Sequence, residues 1–145
     1  MARRLRRSRR LPDWEQRLGD YLAEARELEH DYGAHDCLLH CAAAVKAATG
    51  VDLARRHRGK YRSAASASRY LASLGFASPA ELVDSLLPER PPAFARRGDL
   101  VAGEDGIPGV CIGGTAVFVG MDGSSEGLVT TPRAEWVKAW TVGEA

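Results

Sequence analysis

The sequence predicts an α+β domain in which N-terminal helices pack on a small C-terminal antiparallel sheet. Up to about residue 87, apolar residues recur at helical spacing between capping residues and glycines. Beyond Pro88 the chain changes to short β-branched and aromatic runs punctuated by Gly and Asp. Elements segregated in this way along a chain point to α+β and not to alternating β and α units.

The elements follow in order. In "PDWEQRLGDYLAEARELEHDYG", Trp14, Leu18, Tyr21, Leu22, Ala25 and Leu28 share one helical face. Asp13 is the expected N-cap, with Gln16 in capping-box position and Gly33 as the stop. "YGAHDCLLHCAAAVKAATGVD" predicts a second helix. Asp36 caps it, Cys37, Leu38, Cys41, Ala44, Val45 and Ala48 form its stripe, and Gly50 ends it. "VDLARRHRGKYRS" reads as a basic loop. "SAASASRYLASLG" predicts a third helix from about Ser63 to Leu74, stopped by Gly75. "SPAELVDSLLP" predicts a fourth, with Ser78 at N-cap, Pro79 at N1, Glu81 at N3 and Pro88 past the end. "PERPPAFARRG" reads as rigid, extended connection. The runs "DLVAG", "GVCIGG", "TAVFVGMDG", "GLVTTP" and "EWVKAWTVG" predict strands, with Gly114 and "MDGSSEG" as hairpin turns. Trp136 and Trp140, four apart, allow a helical turn in the last run.

A chain of 145 residues suits one domain with a genuine core. Its 45% hydrophobic and 27% charged residues place it among globular chains. No apolar run approaches bilayer length, and the Arg-rich start lacks the apolar segment of a secretory signal. Three Cys do not close a disulfide framework, so reduced thiols are expected. The net charge of +1 conceals an asymmetry. Arg3, Arg4, Arg6, Arg7, Arg9 and Arg10 crowd the first ten residues, leaving the remainder at about −5. Residues 1–12 therefore read as an Arg-rich arm and 13–145 as the domain. Such an arm is a solvated tail, a contact for a protein partner or a binder of nucleic-acid phosphates. "RRHR" with Lys60 and Arg62 is a second basic patch, read as a solvated loop.

Cys37 at a helix start is a candidate nucleophile, because the helix N-terminus favours thiolate. A cysteine hydrolase also needs a base within hydrogen-bonding reach, normally from another element. All four His (His30, His35, His40, His57) precede the strand-rich half, which holds none. His35 is the best local substitute and His57 the second. Metal binding is the competing chemistry. Cys37, His40 and Cys41 lie near one helical face, and Cys111 could approach from the sheet. Against this stands the absence of a Cys-x-x-Cys pair and the ordinary burial of free Cys, so no metal or cofactor is expected. "GEDGIPG" and "GMDGSSEG" do not have EF-hand spacing. "RGD" at Arg97–Asp99 reads as the start of a strand.

"HDC", then "GVDL", then "RRGDLVAG" opening a sheet resemble, in that order, the NlpC family of papain-like cell-wall peptidases. The resemblance is closer to the short NlpC-like proteins of phage tails and runs from about Asp13 to Val142. It implies a papain-like, NlpC-type fold with Cys37 in the nucleophile position. The family's base is a His in the strand after "GDL". Laying Gly109 and Gly113 of "IPGVCIG" on the family glycines puts Ile107 where that His belongs. The third catalytic position is polar in the family, and "TAVFVG" offers only Thr115. Loss of general base catalysis alone typically removes about 10²–10⁴ in rate. The expectation is a degenerate scaffold: a virion protein near the tail tip or hub, made in the host cytoplasm, meeting other tail proteins, with no membrane contact. The Arg-rich arm would insert between neighbouring subunits. The alternatives are an active cysteine peptidase or amidase trimming peptidoglycan, and a nucleic-acid-binding accessory protein.

Overall fold

The computed structural model describes residues 8–120 and 128–143. Within them the chain is α+β. The helices are α1 (Trp14–Ala25), α2 (Cys37–Thr49), α3 (Ala64–Ser73) and α4 (Pro79–Leu86). The strands are β1 (Glu89–Arg90), β2 (Leu100–Ala102), β3 (Pro108–Cys111), β4 (Thr115–Val119), β5 (Leu128–Pro132) and β6 (Lys138–Trp140). They form one antiparallel sheet in the order β1-β6-β2-β3-β4-β5.

Local chemistry sets most helix boundaries. Asp36 Oδ1 accepts from the Leu38 and Leu39 amides, and Gly50 closes α2 in the left-handed conformation (φ 81°). Ser63 caps α3 in a reciprocal box with Ser66. Ser78 caps α4, and Glu81 Oε2 reaches back to accept from the Ala77 amide. The first helix departs from expectation at both ends. Asp13 makes no side-chain cap, because its carboxylate pairs with Arg17 one turn on at 2.8 Å. The helix stops at Ala25, well before Gly33, and leaves Leu28 exposed. The residues up to Asp36 instead form an irregular connection across the start of α2.

The strand-rich half also contains two short turns. The Pro-rich connection holds β1, paired with β6, and a 3-10 turn at Pro92–Phe94. A second 3-10 turn, Arg133–Glu135, precedes Trp136, and β6 follows as a strand. The "MDGSSEG" turn lies outside the described residues.

The sheet has two unlike faces, as strand alternation requires. Leu100, Val110, Val117, Trp140 and Val142 face the helices and pack with Leu18, Leu22, Val45, Val83 and Leu87. Helix α2 is buried on nearly every side, between α1 and the sheet. Burying a side chain the size of Leu18 contributes about 1.5–3 kcal/mol. The other face, with Val101, Cys111, Ala116, Phe118 and Ala139, is covered by Ala95 and Trp136 and by no helix among the described residues. Gly109 lies under the Phe118 ring, where an added Cβ would collide with the ring carbons. Gly109→Ala should therefore cost about 1–3 kcal/mol by overpacking. Urea unfolding checks this. In a Gly109→Ala/Phe118→Ala double-mutant cycle the two effects should fail to add, since removing the ring relieves the clash.

Candidate functional site

Cys37 is the first residue of α2, and its position follows from the Asp36 cap. Asp36 is almost wholly buried, and its second oxygen accepts from the Gly33 amide at 2.9 Å. That bond draws the preceding loop against the helix start. Cys37 lines a cleft of about 270 Å³ walled by His30, Tyr32, Tyr61, Leu71, Pro79 and Ile107. Ile107, the residue in the position the resemblance assigns to a base, thus shares a cleft with the candidate nucleophile. It has no group that can take a proton.

The thiol itself is poorly disposed to react. Burial pushes the Cys37 pKa up to about 12, and the neighbouring Asp36 carboxylate pushes the same way. The backbone N–H groups at the helix start oppose this shift and lose. At neutral pH the sulfur is a protonated thiol. Among the described residues no hydrogen bond joins it to an imidazole. At pH 7.5, iodoacetamide should alkylate native Cys37 at least about a hundredfold more slowly than a free thiol. Peptide mapping after timed quenching measures this, and rapid labelling at Cys37 would contradict the buried state.

His35 lies outside the Cys37 cleft, and its buried Nε2, like that of His30, has no hydrogen-bond partner. Its backbone is tied to Asp31 by a two-way bridge with N–O distances of 2.7 and 2.8 Å. The ring is buried edge-on to His40, with centroids 5.9 Å apart, and is not among the cleft-lining residues. Burial lowers its pKa. His57 is engaged elsewhere, its Nδ1 2.6 Å from the Tyr70 hydroxyl.

The weak metal set does not converge either. His40 uses both ring nitrogens: the Tyr21 hydroxyl donates to Nδ1 at 2.6 Å, and Nε2–H donates to the Val117 carbonyl at 3.3 Å. Cys41 is buried in the helix-side core, where desolvation holds its thiol well above the ordinary pKa. Cys111 faces the opposite side of the sheet. Among the described residues no three metal-ligating side chains assemble.

One cleft residue went unmarked in the sequence. His30 lines the Cys37 cleft, stacks edge-on with Tyr32 at 4.4 Å, and its buried Nε2 has no hydrogen-bond partner. A helix running to Gly33 would have carried His30 on its surface. The early end of α1 brings it over the start of α2, and no local pattern signals that.

The Arg-rich stretch divides. Arg3, Arg4, Arg6 and Arg7 lie outside the described residues, and Arg9 is exposed. Arg10 is not a free contact residue. Its guanidinium is 3.0 Å from Asp99 and donates to the Val142 and Arg97 carbonyls, while stacking 4.2 Å over Trp14. The next residue is bonded as well, the Leu11 amide donating to the Ala48 carbonyl at 2.8 Å. Asp99, the acid of "RGD", is fully buried and also accepts from Arg90 and from the Arg96 and Val142 amides. It therefore joins the start of β2 to the root of the arm. Trp136 and Trp140 are both buried, as closing elements and not as exposed anchors.

No helix among the described residues is long and apolar enough to cross a membrane. Comparisons with curated proteins and with solved structures found no match. A family model described as a domain of unknown function, DUF6950, matches residues 9–142. The match spans both halves of the fold, from the root of the arm to the last strand, and the chain belongs to the DUF6950 family.

Proposed function

We propose that the chain is a structural subunit of a bacteriophage or phage-like tail, placed near the tip or hub. In this reading it is a papain-like, NlpC-type scaffold that has lost its peptidase chemistry and acts through contacts with other tail proteins. The tail assignment rests on the ordered motifs from "HDC" to "RRGDLVAG". One observation carries the loss of chemistry: Cys37 and Ile107 line the same cleft, so the position that should hold the base holds an aliphatic side chain. The protonated, buried thiol supports the same view.

The test is complementation in a phage whose own copy is deleted. The chain should be found in purified virions, and Cys37→Ala should restore plaque formation as well as the unaltered chain does. Absence from virions would overturn the tail reading.

A specific observation favours a second reading, a working peptidase on peptidoglycan. The unpartnered His30 Nε2 lies at the wall of the Cys37 cleft. That reading requires muropeptide cleavage that disappears in both Cys37→Ala and His30→Ala. Cleavage retained in either variant, or absent from the unaltered protein, excludes it.

A further inference from the structure

The sheet face that no described helix covers carries an open groove of about 800 Å³, between the far end of β2 and strands β4 and β5. Phe118, Val119, Val129, Trp136 and Val137 form apolar walls, with Val129 and Val137 exposed. Glu104, Asp105 and Glu135 stand exposed on its rim. No Lys or Arg is among its described lining residues. Arg133 stacks over Trp136 at 4.7 Å, but it gives its N–H groups to the carbonyls of Pro92, Ala95 and Gly113. Among the described residues no ion pair engages Glu104, Asp105 or Glu135.

We propose that this groove receives the stretch "RRLRR", Arg3 to Arg7, of a second copy of the chain. The chemistry matches in kind and order. Leu5 is an apolar residue for an apolar floor, and the Arg pairs on either side meet an acidic rim. The clamp at Arg10 argues for a second copy over the chain's own stretch. Arg10 is held at Asp99, the near end of β2, and Leu11 is bonded to α2 on the helix-covered side. The groove opens on the opposite face, beyond Ala102. Passing to that face takes about 10 Å, and running the length of β2 takes about 10 Å more. Seven residues span at most about 24 Å. A chain's own stretch would be exhausted on arrival, whereas a neighbour's approaches freely. Arm-to-groove contact closes a two-fold dimer when two copies exchange arms, and builds a ring or a filament when it runs head-to-tail. This inference goes beyond the tail assignment: it holds whatever the assembly is for, and its failure would leave that assignment standing.

The experiment uses two full-length variants. In one, Arg3, Arg4, Arg6 and Arg7 are changed to Glu. In the other, Glu104→Lys and Glu135→Lys reverse the rim. Sedimentation velocity at low salt should show self-association of the unaltered chain and at least roughly tenfold weaker association of each variant alone. An equimolar mixture of the two should associate again, because each arm then meets a rim of opposite charge. A misfolded variant could not be rescued in this way. The milder pair Glu104→Gln and Glu135→Gln should weaken association in the same direction if the Lys variant fails to fold. The proposal is overturned if the unaltered chain is monomeric, if either variant associates undiminished, or if two folded variants stay monomeric on mixing.

Discussion

Replacing Asp99 with alanine should lower stability by about 3–5 kcal/mol, the range for breaking a buried ion pair from one side. For a domain of this size that corresponds to a fall in Tm of roughly 10–20 °C. The Asp99 carboxylate has no exposed surface, and each of its oxygens accepts two hydrogen bonds. Its removal leaves the Arg10 side chain, only 5% exposed, without a counter-charge. It also orphans the Arg96 and Val142 amides, and an unsatisfied buried donor costs about 1–3 kcal/mol. An added Cβ at Gly98 would crowd the Arg10 guanidinium, and one at Gly143 would crowd its Cγ and backbone. Urea unfolding monitored by tryptophan emission measures the loss. Asp99→Asn, which keeps an acceptor but not the charge, should fall between the two. A loss below about 1 kcal/mol in Asp99→Ala would show that the arm root is held by something other than this clamp.

Lowering the pH from 6.5 to 4 should remove about 3 kcal/mol of stability through His40 alone. Burial depresses its folded pKa to about 4, from an ordinary value of 6.5. Above pH 6.5 the ring is neutral in both states and contributes no slope. Between 6.5 and 4 the unfolded chain takes up a proton that the folded chain refuses, so folding weakens as pH falls. Below 4 both states are protonated and the His40 contribution is flat. The cause is visible in the ring's surroundings. Nδ1 accepts from Tyr21 of α1 and Nε2 donates to Val117 of β4, so a second ring proton would bury a charge and force the Tyr21 hydroxyl to turn its own proton away. Burial of His35, edge-on to His40, lowers its pKa and acts in the same direction. Unfolding free energies at pH 7.5, 5.5 and 4.5 measure the slope. His40→Gln should be less stable at pH 7.5 but flatter across that range. A full slope in His40→Gln would assign the effect to another group.

His40 also shows how a sequence can name the right residue for the wrong reason. Its spacing from Cys37 and Cys41 suggested a ligand, and the same spacing places it in the core. There it bonds across three elements. The apolar face of α1 gives a second case. The apolar spacing extends to Leu28, yet the helix breaks after Ala25. Asp36 draws Gly33 toward the start of α2, and that link between neighbouring elements outweighs one weakly buried apolar residue.

What the sequence determined by itself is the local chemistry. Asp36, Ser63 and Ser78 cap helices because their side-chain oxygens reach amides two or three residues away. The switch from helical spacing to short β-branched runs placed the helices before the sheet. No His follows His57, so the strand-rich half can offer no imidazole to Cys37, whatever its geometry. Only the tertiary structure decided the surroundings of Arg10 and His30 and the lining of the acidic groove. Arg10 meets an Asp 89 positions away. His30 reaches the Cys37 cleft through a break in a helix. The groove joins the ends of strands that are distant in sequence. Capping and periodicity act over a few residues and can be read directly. A buried pair or a shared cleft forms by closing a long loop, and its partner is set by how the layers pack.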